Sequence, residues 1–208
     1  MKKYFFLFFI IIFSSHSFLD TEVEDFVNSQ HNEIFNFLNN NQEMFDLDKE
    51  KFLNEFEIRF SKLIPPKEIS KRVMGKRLHS TASKRQILKF NEKFKSTLLN
   101  SYSGALSSVD AANISIESHF HPNERMDLAV VQLNTDFSGR KFKLIYKMKK
   151  INVENSKDWR VVGIILDGID IVSLYRKQFA SLVKDNNDNL DLAIDSWSIK
   201  EDSLNLEN

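Results

Sequence analysis

The stretch that decides the fold is DWRVVGIILDGIDIVSLYRKQF, residues 158–179. Residues 159–167 are rich in Val and Ile, which predicts a strand whose apolar side chains point to both faces. Such a strand has to be covered on both faces. Asp167-Gly168 then predicts a turn, and residues 171–185 follow with helical spacing. The question this stretch raises is what covers the strand.

The residues before this stretch alternate between apolar and polar side chains, which predicts strands at 113–121, 127–137 and 141–150. We expect one face of the resulting sheet to be apolar, with Ile116, Phe120, Val131, Leu133, Phe142, Leu144, Tyr146 and Met148. The opposite face carries His119, His121 and a row of lysines at 141–149. The pattern therefore indicates a four-stranded antiparallel meander with one buried and one solvated face.

Helical spacing of apolar residues appears on both sides of the sheet. Before it, helices are predicted at 20–40, 48–64, 67–75 and 83–108, and the last opens with a capping box, Ser83 and Gln86. Pro65-Pro66 and Gly75 end the second and third. Helices at 171–185 and 188–200 follow the sheet. Helices segregated from an antiparallel sheet predict an α+β fold.

The first residues have the composition of a secretory signal peptide. Two lysines precede the apolar run YFFLFFIIIF, and small residues follow at Ser15 and Ser17. The run is too short to span a bilayer. We therefore expect a signal peptide at 1–17 and one domain at 18–208, helical over 20–108, with the sheet over 112–167 and C-terminal helices over 171–200.

Composition and the lack of known motifs argue against several classes of protein. The chain has no cysteine, so an apolar core must hold the fold. It has 29 basic and 29 acidic residues, a balance that does not suit a nucleic-acid-binding protein. No nucleotide-binding or nucleophile-elbow motif is present. The two histidines of the 113–121 strand lack an evident third ligand for zinc, so we predict an exposed pair and no metal site. The lysine row reads as a solvated face or, alternatively, as a surface for acidic headgroups.

Two stretches resemble the MlaC family of exported phospholipid-binding proteins, also called the toluene-tolerance auxiliary family. The first is ISKRVMGKRLHSTASKRQILKFNEKFKSTLLNSYSGAL, residues 69–106, with a V-x-G, an alanine–serine link to Gln86, and F-x-x-x-F-x-x-x-L. The second is the opening stretch, with its W-x-V, its D-G-I and its Y-R-x-Q-F. Leu78 and Asp170 depart from the family pattern, which has an aromatic residue and a serine there. Asp170 can cap the following helix instead.

The resemblance implies an NTF2-like cone that encloses an apolar cavity. It also implies a periplasmic shuttle, with phospholipid as cargo and no cofactor, that maintains outer-membrane lipid asymmetry. The implied partners are an inner-membrane ABC transporter complex and an outer-membrane lipoprotein–porin complex, and we expect a monomer. A lipid needs such a carrier to cross an aqueous compartment, because its two acyl chains hold roughly 30 methylenes and each costs about 0.8 kcal/mol when exposed to water.

The alternation of side chains predicts where the acyl chains lie. They are expected between the apolar sheet face and residues Phe94, Leu98, Tyr102, Tyr175 and Phe179 of the helices. Two other functions remain open from the residues alone. One is a cavity enzyme of the isomerase or dehydratase kind, for which Asp167 and Asp170 are the acidic candidates. The other is a non-catalytic envelope interaction module that uses the lysine row.

Overall fold

The protein is described by a computed structural model over residues 21–107, 114–137, 140–153 and 156–198, with side chains for all of these except 101–107, 137 and 140. The predicted signal peptide and the end of the predicted last helix lie outside these ranges. Within them the helices are α1 Glu22–Asn40, α2 Gln42–Leu47, α3 Lys49–Leu63, α4 Pro66–Thr81, α5 Lys84–Ser107, α6 Ile171–Asp185 and α7 Leu190–Asp195. None of these helices combines the length and the apolarity needed to cross a membrane.

One antiparallel sheet runs in sequence order through β1 Ile114–Phe120, β2 Leu128–Phe137, β3 Arg140–Val153, β4 Ser156–Leu166 and β5 Ile169–Asp170. The predicted α+β fold is confirmed. The sheet has five strands in the described residues rather than four, because Ile169 and Asp170 fold back onto Leu166 and Ile165. Asp167 and Gly168, both with positive φ, make the turn between β4 and β5.

The sheet has a bulge in each of two strand pairings, and the bulge in β1 changes which side chains face the core. Ile116 lies opposite Leu133, but Ser118 lies opposite Gln132, so the register shifts by one residue between them. The prediction that Phe120 lies on the buried face is therefore wrong, and 47% of its surface is exposed. His119 takes the buried side instead, because an extra residue reverses the alternation that follows it.

The interior of the opening stretch is covered mainly by protein. Trp159 and Val161 are 1% and 0% exposed and belong to the one core cluster. In the β3–β4 pairing Lys147 lies opposite Gly163 and Met148 lies opposite Val161, so Val162 is the extra residue of a second bulge and is also buried. This bulge explains why adjacent residues of one strand are all buried.

The helical layer is held together by aromatic side chains from α5, α6 and the segment that follows α7. The rings of Phe90 on α5 and Phe179 on α6 lie 4.3 Å apart, centre to centre, and both contact Trp197. Phe94 and Tyr175 complete the cluster. Trp197 lies beyond the end of α7, since this helix stops at Asp195 and is shorter than the predicted span of 188–200. Edge-on ring contacts of this kind favour one defined packing.

Gly75 joins the two stretches that carry the family resemblance. The sequence predicts that the helix ends at Gly75, whereas α4 continues to Thr81 across a kink at which Gly75 has φ 78° and ψ 157°. A side chain is strongly disfavoured in this conformation. The bare glycine faces Arg176 of α6, whose Cδ would lie 3.6 Å from an added Cβ. The Arg176 Nε donates a hydrogen bond of 2.7 Å to the carbonyl of Arg72 in α4.

Candidate functional site

The apolar face of the sheet is fully covered at one end and partly covered at the other. At the covered end Val131, Met148 and Trp159 are at most 1% exposed. Toward the β2–β3 connection the cover thins, and four apolar residues of the sheet become partly exposed. We call this part of the sheet the open end; it consists of Ile114, Ile116, Phe142 and Leu144.

The strand register explains why these four side chains lie together. Ile114 pairs with Thr135 and Thr135 pairs with Phe142, while Leu133 lies between Ile116 and Leu144 in the next row. Cross-strand partners on one face of a sheet are direct neighbours. The open end is therefore apolar across all three strands in the row of Ile116, Leu133 and Leu144, whereas Thr135 separates Ile114 from Phe142 in the outer row.

A cavity of about 730 Å³ lies at the edge of the sheet next to the open end, and most of its lining residues on β1–β3 alternate onto the opposite, polar face. Its apolar lining comes from Ile114 and Phe142, and its charged lining from two carboxylates and two lysines; the full lining is Ile114, Ser115, Asn134, Thr135, Asp136, Lys141, Phe142, Lys143 and Asp167. Cavities of this size hold small molecules in other proteins. The arrangement differs from the enclosed apolar cavity that the resemblance implies, because the described residues form an opening with a charged rim next to an apolar wall.

The structure places the predicted site residues in four groups. Those buried in the core are Phe94, Val131, Leu133, Tyr146, Met148, Tyr175 and Phe179. Leu98, Ile116 and Leu144 are partly buried against that core, and Phe142 lines the cavity. Phe120 is exposed on the other side of the sheet. The side chain of Tyr102 lies outside the described residues. A ligand can therefore reach Leu98, Ile116, Phe142 and Leu144, while the residues buried in the core form the wall behind them.

The two acidic candidates for an enzyme have structural roles. Asp167 accepts a hydrogen bond of 2.8 Å from the Lys143 backbone N–H, which fixes the β4–β5 turn to β3. Asp170 caps α6 by accepting from the Ser173 N–H at 2.8 Å, and it pairs with Lys147 at 2.7 Å. Partial burial alone would raise the pKa of Asp170, but Lys147 and the Ser173 amide outweigh it and hold that pKa below its ordinary value. Asp170 therefore stays ionised at neutral pH.

The sequence analysis missed a buried polar pair between α1 and the sheet. The Nε2 of His31 lies 3.2 Å from the hydroxyl of Tyr146, and both residues are buried. Burial lowers the pKa of His31 to about 4 and raises the pKa of Tyr146 well above its usual value. A general acid or base works best with a pKa near the operating pH. Both groups are thus neutral at physiological pH, and the pair positions α1 rather than transferring protons.

Two side-chain contacts hold the first turn of α1 to the same sheet. Glu24 contacts the Nδ1 of His119 at 2.6 Å, and Glu22 contacts the Nζ of Lys150 at 2.6 Å. Lys150 also lies over the ring of Trp159. The predicted exposed histidine pair is therefore wrong, because the β1 bulge turns His119 toward α1 and the Nδ1 of His121 approaches the Leu128 carbonyl at 2.6 Å. Within the described residues no group of three or more potential ligands could hold a metal ion.

Comparisons with known proteins agree on one family. The sequence model described as MlaC protein matches residues 28–198. The toluene tolerance protein ttg2D of Pseudomonas putida is 26% identical over 174 residues, which cover 84% of this chain and 79% of that protein. The phospholipid-binding protein of Ralstonia solanacearum, solved in complex with a phospholipid, has the same fold with a TM-score of 0.61 and 20% identity, over 84% of this chain and 96% of that one.

Proposed function

Because this chain belongs to the MlaC family, we propose that it is a periplasmic phospholipid carrier and not an enzyme. The proposal includes removal of the signal peptide at 1–17 before the domain at 18–208 folds. The relatives support it by their names, one as a toluene tolerance protein and one as a phospholipid-binding protein. The cargo is a phospholipid, and no further cofactor is needed.

The observation that carries the proposal is the partial cover of the open end. Ile116, Phe142 and Leu144 form an apolar wall that other side chains leave partly accessible, and Phe142 also lines the cavity of about 730 Å³. Exposed apolar surface is unfavourable in water by about 25 cal/mol per Å². An acyl chain that lies along this wall removes both its own apolar surface and that of the wall from water.

The rim of the cavity suits the other half of the ligand. Lys141 and Lys143 can accompany a lipid phosphate, and Asp136 and Asp167 can accompany a cationic group. A headgroup at this rim stays in contact with water while the tails are covered. This placement lets the carrier hold the lipid by its tails and release it without breaking a buried ion pair.

In the cell, we propose, the carrier exchanges lipid with an inner-membrane ABC transporter complex and an outer-membrane lipoprotein–porin complex, and so maintains outer-membrane lipid asymmetry. Free transfer through water is negligible because each exposed methylene costs about 0.8 kcal/mol. A carrier that covers the tails removes most of this barrier without chemistry at the lipid. It therefore needs no acid–base pair, in line with the structural roles of Asp167 and Asp170.

The experiment is organic extraction of the purified protein followed by mass spectrometry of the extract. We expect phospholipid in near-stoichiometric amount. Leu144→Arg should weaken lipid binding by roughly 50-fold and so lower the phospholipid content, since a guanidinium that excludes about three methylenes from the wall costs the binding about 2.4 kcal/mol. Ile145→Arg is the matched control, because Ile145 faces the other side of the same strand, opposite Gln132 and Ile165. An extract without phospholipid, or equal loss in both variants, contradicts the proposal.

A further inference from the structure

A second cavity, of about 540 Å³, lies between α4, α6 and β3. We call it the basic groove; its lining is Glu68, Lys71, Arg72, Gly75, Lys76, His79, Ser80, Lys149 and Arg176. Five of these residues carry a permanent positive charge and one carries a carboxylate. It shares no lining residue with the cavity at the open end. The groove is therefore a separate feature of the molecule, whatever the open end binds.

The positive charge of the basic groove results from its folding and not from composition. The chain as a whole has equal numbers of basic and acidic residues. Residues 68 and 72 lie one turn apart before the kink of α4, residues 76, 79 and 80 lie after it, and both parts of the helix line the groove. The kink at Gly75 brings Arg176 of α6 against the groove, and Lys149 joins it from β3.

The cations of the basic groove also lack the partners that other cations of this chain have. Lys62, Lys89 and Lys95 each pair with a carboxylate. None of the five cations of the groove has a carboxylate within ion-pair distance in the described part of the chain, although Lys149 acts on Asp127 at longer range, and the Nε of Arg72 is buried without a hydrogen-bond partner there. Positive charges that converge on one groove repel one another, and a bound anion relieves this repulsion.

From these observations we propose that the basic groove binds a phosphate group. Arginine and phosphate match in geometry, since the guanidinium presents paired N–H donors to two oxygens. Arg176 is positioned for this role because its Nε is already fixed by the Arg72 carbonyl at 2.7 Å, which leaves both terminal nitrogens for a ligand. Lys71 and Lys76 add mobile point charges at the edge of the groove. A soluble molecule and an anionic lipid at a membrane surface both supply such a phosphate, and the chemistry of recognition is the same.

The first test uses inorganic phosphate as the probe with the mature chain. Its binding is followed through the ¹⁵N-labelled Nε–H resonances of Arg72 and Arg176. We expect both to shift and to saturate. Lys71→Gln combined with Lys76→Gln should weaken binding by roughly 25-fold, because each lysine contributes about fivefold near a phosphate-bearing surface. Neither lysine has an ion pair or side-chain hydrogen bond to lose in the described part of the chain, so the variant is expected to fold.

The matched control is Lys84→Gln combined with Lys184→Gln. It removes the same charge from two exposed lysines outside the groove and should bind phosphate as the unchanged protein does. An equal loss in both double variants overturns the proposal, since only net charge would then matter. Acetate at matched ionic strength should not shift the arginine resonances. If it shifts them as phosphate does, the groove recognises charge alone, an acidic protein surface is the better partner, and the proposal is also overturned.

Flotation with vesicles distinguishes the two sources of phosphate. The vesicles contain phosphatidylcholine with or without phosphatidylglycerol. Binding to the anionic vesicles that free phosphate competes away supports the proposal with a membrane lipid as the source. Saturable phosphate binding without vesicle binding supports it with a soluble source. Absence of both overturns it. Neither result depends on the lipid content of the open end, so failure here is distinguishable from failure of the carrier function.

Discussion

Acidification should destabilise the fold through His31, the residue that joins α1 to the sheet. Burial lowers the pKa of this imidazole to about 4, compared with 6.5 in an unfolded chain. Between these two values the unfolded state binds a proton that the folded state does not. The free energy of unfolding therefore rises with pH from about 4 to about 6.5 and is then constant.

The magnitude follows from the two pKa values. A shift of this size is worth about 3 kcal/mol once pH falls below both values, and about 2 kcal/mol between pH 7 and pH 5. The full shift applies because His31 is only 7% exposed, and its ring contacts are with Phe35 and Tyr146, which carry no charge at these pH values. Asp170 acts in the same direction, because its pKa is also lowered on folding, but its effect lies below pH 3.8 and so outside this interval.

The assay is urea denaturation at a series of pH values, followed by the fluorescence of Trp159 and Trp197. His31→Gln is the comparison, because an amide can still hydrogen-bond to Tyr146 but does not titrate. We expect the unchanged protein to lose about 2 kcal/mol more than this variant between pH 7 and pH 5. A difference below about 0.5 kcal/mol would show that His31 is hydrated in the folded state and would refute the burial argument.

Three further predictions concern stability and use the same denaturation measurement. Gly75→Ala should lower the free energy of unfolding by about 1–3 kcal/mol because Gly75 has a positive φ. Gly163→Ala should cost less, since only the flexible Lys147 side chain has to move there. Equal costs would contradict the strain at the α4 kink. Asp170→Ala should cost about 1 kcal/mol through loss of the α6 cap, and no loss would mean that the cap is formed by water instead. Leu133→Ala should cost about 2–5 kcal/mol, because Leu133 is buried between Ile116 and Leu144. Leu88→Ala should be nearly neutral, because Leu88 is 60% exposed.

Periodicity was sufficient for the central strands because their pairing is regular. β2 and β3 pair without interruption from Leu128 with Lys149 to Phe137 with Arg140, so the alternation along each strand fixes its two faces. Val131, Leu133, Tyr146 and Met148 are accordingly buried as predicted. The family resemblance rested on motifs whose residues meet in the structure at Gly75 and Arg176. Local patterns could predict these features because each depends little on contacts between residues that are far apart in the sequence.

The β1 bulge and the basic groove depend on contacts between elements, which the pattern of a single strand or helix does not encode. The bulge between Ile116 and Ser118 is set by the pairing with β2, and it reversed the faces of His119 and Phe120. The basic groove needs α4, α6 and β3 together, so the lysine row alone could not indicate it. His31 is different. It continues the stripe of Val23, Val27 and Ile34 at helical spacing, and this spacing could have predicted its burial.

The two ends of the apolar sheet face have different roles: the covered end stabilises the fold, and the open end is available to a ligand. The covered end, with Met148 and Trp159 almost fully buried, packs against the core and does not need a ligand. The open end contributes less to the core because Ile116 and Leu144 keep part of their surface accessible. Since apolar burial stabilises in proportion to area, a tail that leaves the open end removes little of the folding energy. A carrier has to survive without its cargo between two membranes, and a wall that is apolar yet only partly used by the core satisfies this requirement.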